Sequence, residues 1–104
     1  MKQLDVVIEE LLWDDWNTAH IARHNVTPYE VEQSLIDEDV VFLRANHGRI
    51  MVLGRAGKRL ISTILNEQEP TGVFYVITAR DMAKKERALY RAQRGEGNGK
   101  EQDT

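Results

Sequence analysis

The apolar positions change period along the chain. From Val6 to Leu12 they read as a strand ending at Trp13. Asp14 or Asp15 suits a helix N-cap, and the spacing predicts a helix to about His24 with Asn25 as its stop. Thr27-Pro28-Tyr29-Glu30 opens a second helix: Thr27 caps it, Pro28 takes the first helical position and Glu30 completes a capping box. That helix is expected to reach about Asp37 and to bury Val31 and Leu35.

The period then becomes strand-like in four runs, Val40 to Arg44, Arg49 to Arg55, Arg59 to Leu65 and Val73 to Arg80. Asn46-His47-Gly48 and Ala56-Gly57-Lys58 are short enough for hairpins, whereas Glu67 to Gly72, with Pro70, is a longer loop. An antiparallel meander is the economical arrangement. Asp81 is expected to cap a last helix from Met82 to about Arg94, and the polar, glycine-rich residues 95–104 are expected to be disordered. The order β-α-α-β-β-β-β-α defines an α+β fold: a mostly antiparallel sheet of four to five strands, two N-terminal helices and one C-terminal helix, in one domain over residues 1–94.

A chain of 104 residues supports one core without staples. Its apolar share of 41% and charged share of 30% are those of ordinary globular proteins. The lack of cysteine excludes a disulfide scaffold, a thiolate zinc site and a thiol nucleophile. No apolar run approaches the ~18 residues that span a bilayer. Met1-Lys2-Gln3-Leu4-Asp5 does not begin a signal peptide, so a cytoplasmic protein with no membrane partner is expected.

Charge alters this plain picture. The net charge of −3 conceals −8 over residues 1–43, +7 over residues 44–94 and −2 over the tail. Such asymmetry suggests a polyanion on one surface and another partner on the other, or two halves that neutralise each other across the fold. With a three-residue hairpin loop, Arg55 and Arg59 would lie opposed on one face, joined along the strand by Arg49, Met51 and Leu53. Such a face either binds an anion or simply solubilises strand ends. On the last helix Lys84, Arg87, Arg91 and Arg94 share an arc of roughly 80°, with Met82 and Leu89 towards the core and Tyr90 between the two stripes. This is a phosphate footprint, a solvated face or a complement to the helix dipole. Arg80 ends a strand at the sheet rim, and Glu86 is within reach as an ion-pair partner, catalytic or structural.

Trp16, His20 and His24 form one helical stripe. Two histidines one turn apart can grip a metal, but no zincin-type carboxylate follows and no third ligand is evident, so neither metal nor cofactor is expected. His24, near the chain turn, is a general acid or base, or else a helix cap. His20 is expected to pack around Trp16, and His47 has no assigned role.

Several segments together are similar to the BrnT-type toxin family. They are Trp13-Asp14, Ile21-Ala22-Arg23-His24-Asn25-Val26 and Tyr29-Glu30-Val31-Glu32, then Arg49 to Gly54 with Gly57, Arg59 and Leu60, and finally Ile77-Thr78-Ala79-Arg80 with Glu86-Arg87 and Tyr90. The resemblance covers about residues 11–91. Asn25 stands where the family has glycine, His20 where asparagine is common, and the first helix is one residue shorter.

This resemblance implies the toxin of a type II toxin–antitoxin pair, with a RelE-like ribonuclease fold, cleaving RNA without a metal and neutralised by a DNA-binding antitoxin. It singles out Arg23, His24, Arg49, Arg59, Arg80, Glu86 and Tyr90. In RNA cleavage the 2′-hydroxyl is deprotonated and attacks phosphorus, which requires a base, an acid and cations. His24 or Glu86 would transfer protons, Arg80, Arg59 and Arg23 would stabilise charge, and Tyr90 would position the phosphate or stack on a base. Arg49, Arg55, Lys84, Arg87, Arg91 and Arg94 would bind the strand. The alternative is a non-catalytic nucleic-acid- or protein-binding module of the same fold, and with either the acidic half is a surface for a partner chain.

Overall fold

The computed structural model describes residues 4–93. Arg94 and the tail expected to be disordered lie outside them. Five strands form one sheet: β1 (Glu10–Leu12), β2 (Val41–Arg44), β3 (Ile50–Ala56), β4 (Arg59–Glu67) and β5 (Val73–Asp81). Three helices accompany them: α1 (Asp15–Ala22), α2 (Pro28–Leu35) and α3 (Lys84–Gln93). The element order and α+β class are those the sequence pattern predicts. Spatially the strands run β1-β5-β4-β3-β2, with β1 parallel to β5 and every other pairing antiparallel. No described helix is long and apolar enough to cross a membrane.

Strand alternation gives the sheet two apolar faces. Ile21 and Val31 from α1 and α2 join Val52, Ile61, Leu65, Phe74, Val76 and Ala79 in one core. Met82 and Tyr90 of the C-terminal segment join Val41, Leu43 and Leu53 in the other. Adjacent Val52 and Leu53 thus belong to opposite layers, as a period of two demands.

Local chemistry explains the element ends. Asp14 caps α1 and forms a reciprocal capping box with Asn17. The buried Asn17 amide also donates to the carbonyls of Leu12 and Val76, 3.0 Å each, fastening α1 to β1 and β5. Asn25, at φ 61, turns the chain out of α1 in the left-handed region, as a C-terminal stop does. Thr27, Pro28 and Glu30 start α2 as expected, with both arms of the capping box present. Val31 is fully buried and Leu35 partly so. Helix α2 sits tightly on β3, because a Cβ on Gly54 would lie 2.1 Å from the Ser34 carbonyl oxygen.

Four expectations need correction. The first strand is only Glu10–Leu12, because Leu4 donates its N–H to Phe42 of β2 while Glu9 and Glu10 donate to Gly72 at the start of β5. The segment from Leu4 to Glu9 is therefore a strap crossing the sheet end, with Val6 and Ile8 on the core. Helices α1 and α2 end two residues earlier than the spacing predicts, at Ala22 and Leu35. The β3–β4 hairpin has two loop residues instead of three, with Gly57 at φ 63. Arg55 therefore opposes Leu60, and Arg59 opposes Ala56, so the opposed arginines do not occur. Finally, Asp81 ends β5 and does not cap α3. Its carboxylate is held by Arg59, and the N–H of Ala83 is satisfied by Glu86 instead.

Candidate functional site

The sheet end away from the strap brings together the last residues of β5, the first of β4, the α1–α2 turn and the start of α3. Arg59 enters on the α1–α2 side. Its Nε donates to Asp81 at 2.7 Å, Nη1 to Glu30 at 3.1 Å and to the Asn25 carbonyl, and Nη2 to the His24 carbonyl at 3.1 Å. One guanidinium thereby fastens the α1–α2 turn to the sheet. The hydrogen bond to Asp81 raises its already high pKa further against the opposing effect of burial, and the same bond holds the Asp81 carboxyl below its ordinary range.

Arg80, one residue before Asp81, points to the α3 side. It pairs across strands with Ser62, which lies in the row of Leu53 and Val41. Its two Nη atoms grip the Glu86 oxygens at 2.8 and 2.9 Å, and Nη1 also donates to the Asp81 carbonyl at 3.1 Å. The fork geometry is the strong form of this pair. The Glu86 side chain is 14% exposed and that of Arg80 42%. The contact with Arg80 and the N–H of Ala83 hold the Glu86 carboxyl below its ordinary value, although burial pushes the other way. Arg59 and Arg80 thus straddle Asp81 from opposite faces of one sheet rim.

His24 and Arg23 stand exposed at the end of α1 on the same rim, tied to it through the His24 carbonyl. The other expected residues are spread more widely: Arg55 and Lys84 stand at this end of β3 and of α3, whereas Arg49 lies at the far end of β3. Arg49 precedes β3 and Arg55 is its penultimate residue, so they lie towards opposite ends of the strand, roughly 20 Å apart. Arg55 is exposed, and its backbone N–H donates to Asp37. Arg87 is half-buried and donates to the Met82 carbonyl at 2.9 Å. Lys84 and Arg91 are exposed at opposite ends of α3. Tyr90 is fully buried with its hydroxyl on Asp37 at 2.6 Å, so its ring offers no face for a base, contrary to the stacking role expected for it.

Two carboxylates of the rim, Glu30 and Asp81, are what the sequence reading missed as members of the site. The pattern marks Glu30 correctly as a capping residue and Asp81 wrongly as one, and their shared guanidinium depends on a 29-residue and a 22-residue separation closed only by the fold. Trp16 was legible by spacing but its surroundings were not. It is 60% exposed and stacked on His20, centroids 4.9 Å apart and planes 8° from parallel. Among the described residues no group of three or more His, Cys, Asp or Glu side chains is arranged to hold a metal ion.

No family model matches the chain, and no curated protein matches it.

Proposed function

We propose that this chain is a metal-independent endoribonuclease of the toxin type, acting at the rim where Arg59 and Arg80 straddle Asp81. The resemblance to BrnT-type toxins, with their RelE-like fold, supplies the reaction class. The observation that carries the reading is Glu86, ionised between Arg80 and the N–H of Ala83 at the same sheet end as the exposed His24. A carboxylate held below its ordinary pKa is ionised at neutral pH, so Glu86 has no proton to donate and can enter only as the acceptor. Glu86 then takes the proton of the 2′-hydroxyl, whose oxygen attacks phosphorus. His24 gives a proton to the departing 5′-oxygen, and Arg80 meets the charge on the phosphorane. The depressed pKa also limits the strength of Glu86 as a base. Arg59, with its donors committed to Asp81, Glu30 and two carbonyls, is a positioning residue for the turn that carries His24.

A second reading, a non-catalytic binding module, draws on the charge at this rim. Arg59 and Arg80 are accompanied by Glu30, Asp81 and Glu86, so the positive potential a phosphate would seek is largely cancelled. For a partner chain such as an antitoxin, the groove between the strap and α2 is suitable. It encloses about 430 Å³, is lined by Val6, Ile8, Leu35 and Ile36, and is edged by Glu9, Glu10 and Glu32.

Incubating the purified protein with a long single-stranded RNA and a chelator separates the readings. Cleavage that Arg80→Ala reduces by about 10²–10³ supports the enzyme. A salt-sensitive mobility shift without products supports the binder. Growth arrest on overexpression, lost in Arg80→Ala, is the corresponding test of toxicity in cells.

A further inference from the structure

The outer face of α1 carries an arrangement that proton transfer at the rim does not use. Asn17 and Ile21 point inward and are buried, so Trp16, Ala19, His20 and Arg23 form the outward stripe one and two turns apart. Trp16 is more than half exposed yet ordered against His20, ring on ring, and His20 meets His24 edge to face at 6.0 Å and 73°. An exposed indole in a flat stack buries little area, so core packing does not account for it. The stripe lines a shallow, mostly apolar depression that includes Arg23 at one end and Asp15 at the other. The Arg23 end leads into the rim, because the His24 carbonyl accepts from Nη2 of Arg59.

We propose that this ladder is a stacking platform for the unpaired nucleobases of single-stranded RNA, deepening the reading of the rim as an RNA site, on which it rests. Every nucleobase presents a π-face, so aromatic rings bind single strands with little regard to sequence, and a guanidinium beside them meets the phosphates. The polarity of the stripe sets the direction. A base stacks on the indole, and the backbone runs away from Asp15 along Arg23 towards Arg80. The apolar lining alone would suit another protein, but a cation at the rim end and an acid at the far end fit a polyanion entering the rim.

The test titrates the whole protein with an oligodeoxyadenylate of roughly ten nucleotides and with an abasic deoxyribose-phosphate strand of the same length. Wild type is expected to bind the adenylate strand more tightly and to show quenched tryptophan emission. Trp16→Ala is expected to weaken that binding by about tenfold, leave the abasic strand unaffected and abolish the quenching, while Trp16→Phe retains most of the affinity. Equal affinity for the two strands, or adenylate binding indifferent to Trp16→Ala, overturns the proposal. So does a change in Trp16 emission driven by protein concentration alone, which would assign the ladder to a second copy of the chain. A deoxy strand has no 2′-hydroxyl, so the result is independent of cleavage. Base-dependent binding through Trp16 without RNA hydrolysis would keep the platform and remove the nuclease. Hydrolysis of RNA with no preference for bases would do the reverse.

Discussion

Arg80 and Glu86 meet through two parallel N–H···O bonds of 2.8 and 2.9 Å, joining the end of β5 to the first turn of α3. The pair makes stability depend on pH in a direction that follows from the lowered Glu86 pKa. The folded state binds this proton less readily than the unfolded chain, whose glutamate titrates near 4.5. The contribution is therefore complete above that value and is lost as pH falls through the lower folded one. Glu86→Gln is expected to destabilise the protein most near neutrality, with the gap to wild type closing as the solution becomes acid. Denaturant unfolding at several pH values checks this, and a gap that widens towards acid contradicts it.

Arg59 supplies a planar fork that a lysine cannot reproduce. In Arg59→Lys one ammonium replaces the bonds to Asp81, Glu30 and the carbonyls of His24 and Asn25. The α1–α2 turn is expected to loosen while the sheet persists. Amide exchange read residue by residue should rise at His24, Asn25 and Val26, whose N–H groups bond within that turn, and stay unchanged at Val52 and Thr63.

Tyr90 is a structural residue, joined to Asp37 at a separation of 53 positions. Asp37 also accepts from the N–H groups of Asp39 and Arg55, so it binds the α2–β2 loop, the end of β3 and α3 together. Tyr90→Phe keeps the buried ring and removes one bond to a carboxylate, at an expected cost of about 1.5–3 kcal/mol. Urea unfolding measures it. An unchanged rate of RNA cleavage at a temperature where the variant is folded would separate this role from a catalytic one.

Gly54 permits the approach of α2 to the sheet. With the Ser34 carbonyl oxygen 2.1 Å from any added Cβ, Gly54→Ala requires the helix to lift. The expected loss is about 3 kcal/mol, the upper part of the overpacking range, seen as a lower urea midpoint. Gly57, which meets nothing within 4 Å but sits at φ 63, is a contrasting case: alanine there is resisted by the backbone and not by a neighbour.

What could be read in the sequence was whatever is governed by neighbours along the chain. The Thr27-Pro28-Glu30 start of α2, the Asn25 stop and the alternating runs of β2 to β5 all arise from local rules, and all are present. The Arg80–Glu86 ion pair was also within reach, six positions apart. The strap was misread because alternation in Val6–Leu12 cannot distinguish a chain lying along a sheet from one crossing its end. Asp81 was misread because a residue between strand and helix looks like a cap until a guanidinium from another strand claims it. Tyr90 fell between two stripes on the helix wheel, and only the position of Asp37 decides for the interior.

Strand β5 contains one residue too many. Ile64 pairs with Thr78 and Leu65 with Val76, leaving Ile77 without a partner on β4. Everything after this bulge has the opposite inside–outside parity from what precedes it, which is why Val76 and Ala79, three apart, both reach the same core. The same inversion sends Arg80 to Glu86 and Asp81 to Arg59. Were Ile77 paired with Ile64 in an unbroken ladder instead, every later residue would slip by one and these destinations would exchange, presenting an acid to Glu86 and a guanidinium to Arg59. A single spare aliphatic position, remote from any chemistry, thereby dictates whether the charges at the strand terminus attract or repel their surroundings.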